Sequence, residues 1–169
     1  MRRFALAAWL VLIVAGAAAQ PKLGTSTWQL NTEQASITAA KAKFRLVAGA
    51  LQWDDARPEQ STIALSLDTT SLSDDGLKTQ FDATHFPELR LISTAPGKKS
   101  GDKETLPTAL TIKDITKPVV LQLTFKTVSR TEIVMHAEGT IRGGDFKMKG
   151  GDMPLVIDAP FERVGPNAQ

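Results

Sequence analysis

The chain has no cysteine and no tyrosine, only two histidines, and, apart from Trp9, only Trp28 and Trp53 as aromatics other than phenylalanine. Without cysteine there is no disulfide, no thiol nucleophile and no thiolate metal site, so the fold rests on its apolar core alone. Two histidines far apart, His85 and His136, do not have the spacing of a metal site, and neither lies beside a serine or acid in a catalytic pattern. The glycine pairs Gly143-Gly144 and Gly150-Gly151 are not followed by helical sequence, so no phosphate-cradling loop is indicated. Long helical periodicity is also missing, which removes the crossovers a parallel sheet needs. No internal repeat is visible.

Net charge is lacking too. The whole chain carries 20 Lys+Arg against 18 Asp+Glu, but Arg2 and Arg3 open a segment with the pattern of an export signal. Met1-Arg2-Arg3 is a positive start, Phe4 to Val14 is apolar, and Ala17-Ala18-Ala19 offers a small-x-small cleavage site. The apolar run is short for a membrane span. The expectation is a cleaved signal over residues 1–19, a single domain over 20–169, and a periplasmic or secreted location. Without Arg2 and Arg3 the charges balance at 18 against 18. Neutrality and the scarcity of aromatics argue against nucleic-acid binding.

What is present is alternation. The hydrophobic fraction of 42% is enough for a core, and 22% charged residues argue against disorder. Trp28 to Leu30 and Ser36 to Thr38 read as two pieces of a first strand around a turn at Asn31 to Gln34. Phe44 to Trp53 carries apolar residues on both faces, which means cover on both sides or a bulge at Gly49 that switches faces. Ile63, Leu65 and Leu67 share one face, as do Leu89 and Leu91. Leu110 and Ile112 follow, then Val119, Leu121, Leu123 and Phe125. Ile133, Met135, Ala137 and Ile141 form the next face, and Leu155, Ile157, Ala159 and Phe161 the last. Ala95 to Pro107 reads as a long polar hairpin loop, and Asp114 to Pro118 as a tight turn. Ser73-Asp74-Asp75 is a helix start, so a short helix is predicted over Leu77 to Thr84 before Pro87 ends it. About eight strands and one short helix make an antiparallel sandwich or barrel. Phe81 and Phe86 form an apolar plug between two strands.

His136 alternates with inward residues and is expected on the surface or in a cross-strand pair. His85 is expected in a turn. The inward faces are the chemical content of the chain, and periodicity leaves both a packed core and an apolar ligand cavity open.

Several blocks resemble the YceI-like family, the polyisoprenoid-binding periplasmic proteins. They are Trp28-Gln29-Leu30-Asn31 with Ala35-Ser36-Ile37, Phe44 to Asp54, Leu67-Asp68-Thr69-Thr70-Ser71-Leu72, and Phe81-Asp82-Ala83-Thr84-His85-Phe86-Pro87 running into Leu91 to Thr94. Leu110 to Val119, Ala137 to Ile141 and Asp145-Phe146 complete the set. The plug and the Thr116-Lys117-Pro118 hairpin are the most specific. Three departures from the family pattern stand out: a shortened hairpin between Ile37 and Phe44, a brief polar run before Phe81, and Lys147 where glycine often follows Asp-Phe.

The resemblance implies a lipocalin-like antiparallel barrel plugged by one short helix, holding an isoprenoid or other long apolar lipid. The implied role is sequestration or carriage, with transient membrane or partner-protein contact for delivery and no cofactor, metal or catalytic residue. The lining expected for such a cavity, assigned inward by alternation, is Leu51, Trp53, Ile63, Leu65, Leu67, Phe81, Phe86, Leu89, Leu91, Leu110, Ile112, Leu121, Leu123, Phe125, Met135 and Phe146. Two alternatives stand beside this reading: a packed-core barrel acting as a protein-interaction module, and a lipid-acting enzyme using His85.

Overall fold

The computed structural model describes residues 25–101 and 103–164; the segment read as an export signal, residues 1–19, lies outside them. Strands β1 (Thr25–Leu30) and β2 (Ser36–Ala39) are two parts of one broken stave. The side chain of Asn31 accepts hydrogen bonds from the backbone N–H groups of Glu33 and Gln34, which closes the turn between them. β3 (Ala42–Asp54) pairs through Ala42 to Phe44 with β2 and through Ala50 to Asp54 with β1. β4 (Thr62–Asp68), helix α1 (Asp75–Phe81), β5 (Glu88–Ser93), β6 (Lys98–Ser100) and β7 (Lys103–Ile112) follow. β8 (Ile115–Thr127), β9 (Glu132–Arg142) and β10 (Asp152–Arg163) complete the chain.

All strand pairs among the described residues are antiparallel. β9 pairs with β10 over the whole of Asp152 to Glu162, and β10 returns to β1 and β2, so the sheet closes into a barrel of eight staves. Closure gives each of the eight staves a paired neighbour on both sides over at least part of its length.

The apolar runs fall inward as alternation requires, with one change of phase. Phe44 and Leu46 point in, and so do Leu51 and Trp53, which differ from them by an odd number of positions. The phase shifts at Val47, an extra residue between the pairs Leu46–Leu67 and Ala48–Ser66. Of the two readings of this strand, the face switch is the one observed, and the bulge sits at Val47 rather than Gly49. Gly49 then faces the interior. A Cβ there would stand 2.8 Å from Leu65 Cδ2 and 2.9 Å from Leu30 Cβ, so glycine is needed for that contact.

Two loop assignments are corrected. Ala95 to Pro107 contains β6 and the start of β7, paired as Lys98–Thr105, Lys99–Glu104 and Ser100–Lys103. Polar composition hid a short hairpin whose cross-strand partners include opposite charges. The turn after β7 is Lys113-Asp114, with Lys113 at φ 59°, while Ile115 to Pro118 already belong to β8. The β2–β3 connection is a two-residue turn, Ala40-Lys41, with both residues at positive φ (51° and 68°). That is the primed hairpin geometry that matches sheet twist, made here without glycine or asparagine.

Candidate functional site

The expected lining converges. Leu51, Leu121 and Met135 are 0% exposed, and Leu65, Leu67, Phe81, Leu91, Leu110, Ile112 and Phe146 are at 1–2%. Trp53, Ile63, Leu89 and Leu123 are also buried. Phe125 is half-buried and meets Trp53 edge-on, with centroids 5.0 Å apart. Phe44, Phe161, Ile37, Leu46 and Leu106 share this interior, although they were not among the expected lining. Their alternation was visible, but no single-strand signal says which of two parallel faces looks at a ligand.

The plug differs from expectation in one partner. Phe81 ends α1 and stands edge-on to Phe44, with centroids 5.3 Å apart and planes at 83°. Phe86 is only half-buried and stays outside the core cluster. Asp82 adopts the left-handed conformation at the helix end (φ 50°), so the chain turns there, and Ala83 takes the next buried position. Phe86 is left on the rim, where its carbonyl accepts a hydrogen bond from Thr69 Oγ1 at 2.7 Å. The second large plug is Phe146, from the 3-10 turn Gly143–Phe146.

These burials say what the interior contains. A side chain lining an open tunnel keeps the surface that faces the tunnel; these keep almost none. The inner faces interdigitate, as in a close-packed core.

The plugged end is tied down by a polar cluster at the end of β4. Asp68 accepts from the backbone N–H of Thr70 at 2.8 Å and from the Thr70 hydroxyl, and it pairs with Arg45. Burial pushes this carboxyl up, but the donors from Thr70 and Arg45 outweigh burial and hold it below the usual aspartate range. Ser71 Oγ accepts from the Arg45 backbone N–H, and the Thr69 N–H donates to the Pro87 carbonyl. This one tetrapeptide therefore fastens β3, β4 and the segment behind the plug. In sequence it read only as a strand end.

The opposite end is built differently. Glu104 shares the inward face of β7 with Leu106, Thr108, Leu110 and Ile112, and lies opposite Leu123. Its Oε1 is buried without a hydrogen-bond partner among the described residues. Burial, then the nearby Glu59 carboxylate, raise its pKa, and Lys99 offsets only part of that. Glu59 comes from the 3-10 turn Pro58–Gln60, which presses on the β5–β6 link so closely that a Cβ on Gly97 would lie 2.4 Å from the Glu59 carbonyl oxygen. Glu104 escapes a sequence reading because its stretch is polar and rich in loop-forming residues; its spacing from Leu106 and Leu110 is the available signal.

The histidines sit outside this interior. His85 Nδ1 is 2.7 Å from Asp82 Oδ1 in the turn after α1, and the side chain is exposed. His136 is on the outer wall, with Nδ1 2.7 Å from Asp158 Oδ1 on β10 and Nε2 3.5 Å from Glu138. The Asp158 hydrogen bond raises its pKa. This is the expected cross-strand role. No group of three or more potential metal ligands occurs among the described residues.

Several grooves lie where strand pairing is interrupted, among them one of about 600 Å³ beside the broken first stave, lined by Thr32, Ala35, Phe44 and Leu46 among others. Another, of about 640 Å³, lies beside the Val47 bulge and is lined by Gln29, Leu30, Val47, Gly49, Leu65 and Ile92 among others. A third, of about 550 Å³, lies between β8 and β9. Their ladder runs from Thr127–Ile133 to Gln122–Glu138 and stops there, although both strands continue. Pro118, Val119 and Val120 face Gly139, Thr140 and Arg142 across the gap, with Phe146 and Asp145 beside it.

Comparison with known proteins places this architecture among relatives. A family model described as the YceI-like domain matches residues 23–162. A UPF0312 protein of Pseudomonas putida strain W619 is 31% identical over 138 residues, which is 72% of this chain and 71% of that one. One from Pseudomonas syringae pv. tomato is 31% identical over 133 residues, 69% of each. Among solved structures, Burkholderia cenocepacia BcnA superposes with a TM-score of 0.62 at 17% identity, covering 78% of this chain and 98% of that one. A polyisoprenoid binding domain from Saccharophagus degradans gives 0.61 at 11% identity, covering 81% and 98%. At these identities the structural likeness is one of fold.

Proposed function

The chain belongs to the YceI-like family, and on that premise we propose that it binds an isoprenoid or similar amphiphilic lipid inside the barrel. The observation that carries the reading is the inner face itself. From Phe44 and Phe81 at one end to Trp53 and Phe125 at the other it is predominantly apolar, with Thr108, whose hydroxyl donates to the Val119 carbonyl, and Glu104 as the inward polar residues of β7. A structural neighbour of the same fold is described as polyisoprenoid binding, which supports the same ligand class here. Apolar burial contributes about 25 cal/mol per Å² before the cost of ordering the chain.

Because the interior is filled, the bound chain displaces core side chains. Met135, Met148 and Met153 are all buried in it, and methionine repacks with little rotamer penalty. The protein sequesters or carries the lipid after export to the periplasm or the medium, with the first 19 residues removed. Transient contact with a membrane or partner completes delivery. Intact-mass measurement of protein recovered from the periplasm or medium tests the export step; an unshortened N-terminus refutes it.

The filled interior also favours a second reading, a packed barrel whose surface binds a partner protein. Organic extraction and mass spectrometry of protein purified from its own host separates the two. A co-purifying isoprenoid or similar lipid supports binding. No lipid, together with exclusion of the apolar dye N-phenyl-1-naphthylamine, overturns it in favour of the packed barrel.

A further inference from the structure

The β8–β9 gap has a cause in the sequence. Counting outward from the two-residue turn at Lys113-Asp114, hydrogen-bonded pairs between β7 and β8 alternate with non-bonded ones. The pair Ala109–Pro118 is non-bonded, so the Pro118 nitrogen faces β9, where it has no hydrogen to give. Val120 is the next residue turned that way. At Gly139 the two strands are still in contact, since a Cβ there would lie 3.4 Å from the Val120 carbonyl oxygen and 2.8 Å from Leu121 Cδ2, so the opening lies beyond it, toward Pro118 and Arg142. The ladder has already ended at Gln122, and Val120 is 59% exposed.

What fills the gap is not wall but a loop. The 3-10 turn Gly143–Phe146 packs against β8 and β10, and it carries Phe146, 1% exposed, to the inner side of the groove. Groove and interior therefore share Val119 and Phe146, with Met148 and Met153 buried as part of the same core. The base of the loop is closed by backbone hydrogen bonds from the Gly143 N–H to the Gly151 carbonyl and from the Met148 N–H to the Gly143 carbonyl. Gly150 (φ 106°) and Gly151 (φ 81°) end it, and Lys147 holds a left-handed conformation (φ 54°) that costs a non-glycine residue about 1 kcal/mol. Its outer rim is polar, with Gln122, Glu138, Thr140, Arg142 and Asp145.

The bulge beside Val47 offers no such arrangement. Its lining comes from β1, β3, β4, β5 and Thr32 of the turn fixed by Asn31, and no plug residue reaches it, whereas Phe146 lines the β8–β9 groove. We propose that the β8–β9 gap is the portal by which the hydrocarbon chain of a lipid enters the barrel, and that Phe146 is the gate it displaces. This rests on the lipid-binding reading above. The polar rim suits a site where the ligand's polar end stays in water while its chain passes inward.

The absence of cysteine allows a direct test. In a Val120→Cys, Thr140→Cys variant, a disulfide or a short bis-maleimide link ties the strands across the gap. An Ala50→Cys, Ala64→Cys variant ties a true ladder pair elsewhere on the wall. Uptake of a dansyl-labelled geranylgeranyl chain from phosphatidylcholine vesicles is followed by fluorescence.

Linking 120 to 140 is expected to slow uptake and release by about tenfold or more, as lid closure does in gated sites, with equilibrium capacity unchanged. The 50–64 link should change neither. Phe146→Ala should speed exchange, and circular dichroism will report whether that variant keeps its fold. Uptake at the unlinked rate in the 120–140 linked protein overturns the portal while leaving lipid binding intact. No uptake by the unlinked protein overturns the lipid-binding reading and the portal with it.

Discussion

The two ends of the barrel are closed by opposite chemistry. At the α1 end, Phe81, Phe44 and Phe146 fill the opening, and Asp68 just outside them is surrounded by donors that stabilise its charge. At the other end Trp53 and Phe125 fill the opening, and Glu104 points inward with a buried oxygen that no described residue satisfies and a second carboxylate nearby. The first acid stabilises the fold when ionised; the second opposes it. The lesson is that an acid's effect depends on how many donors meet it, not on its depth alone. The tied cluster at Asp68 holds the helix side of the α1 end, and the loop Gly143–Phe146 brings the second ring to it.

The comparison can be broken most strongly at the plug. Phe81→Ala removes a fully buried ring and should destabilise by about 3–5 kcal/mol in urea unfolding, while Phe86→Ala on the rim costs under about 1 kcal/mol. Equal losses would mean that Phe86 is part of the seal.

Asp68→Asn should cost about 1–3 kcal/mol near neutral pH, because a charge-assisted cluster loses its acceptor. Its pH dependence has a definite sign. The folded carboxyl lies below the unfolded one, so its stabilisation is present above the unfolded pKa and is lost as pH falls through the folded value. The variant should therefore show a flatter acid limb in thermal melts. An unchanged limb removes Asp68 from this role.

Lys147→Gly should stabilise by about 1 kcal/mol by relieving a left-handed residue, measured as a shift in the unfolding midpoint. The smallest effect is expected at Glu104. Its raised folded pKa means that its contribution is fully present below the unfolded pKa and is lost as pH rises through the folded value. Glu104→Gln should thus stabilise slightly at neutral pH and remove that decline. A variant less stable than the parent at neutral pH would show that the ionised carboxylate is satisfied after all.

Much of this was legible before any coordinates. The broken first stave around Asn31, a helix start within Ser73-Asp74-Asp75 and the outward His136 are legible from short-range pattern, because caps, turns and alternation are local. The cap itself is Asp74 rather than Ser73, and the helix ends at Phe81, short of the expected Thr84. The phase change at Val47 was legible only as an ambiguity. A bulge is defined by the partner strand, here Leu67 and Ser66, and not by the residues that carry it. The β6–β7 hairpin was missed because its residues are polar, and polar strands give no periodic signal.

The division is physical. Sequence by itself determined an antiparallel all-β chain, the apolar faces of its strands and the stretch that plugs one end, since each follows from side-chain alternation and backbone chemistry within a few residues. Tertiary structure alone decided that those faces fill the interior, that Glu104 joins them, and that the wall opens between β8 and β9. Packing volume and ladder closure are set by distances between strands remote in the chain, and no local pattern encodes those distances.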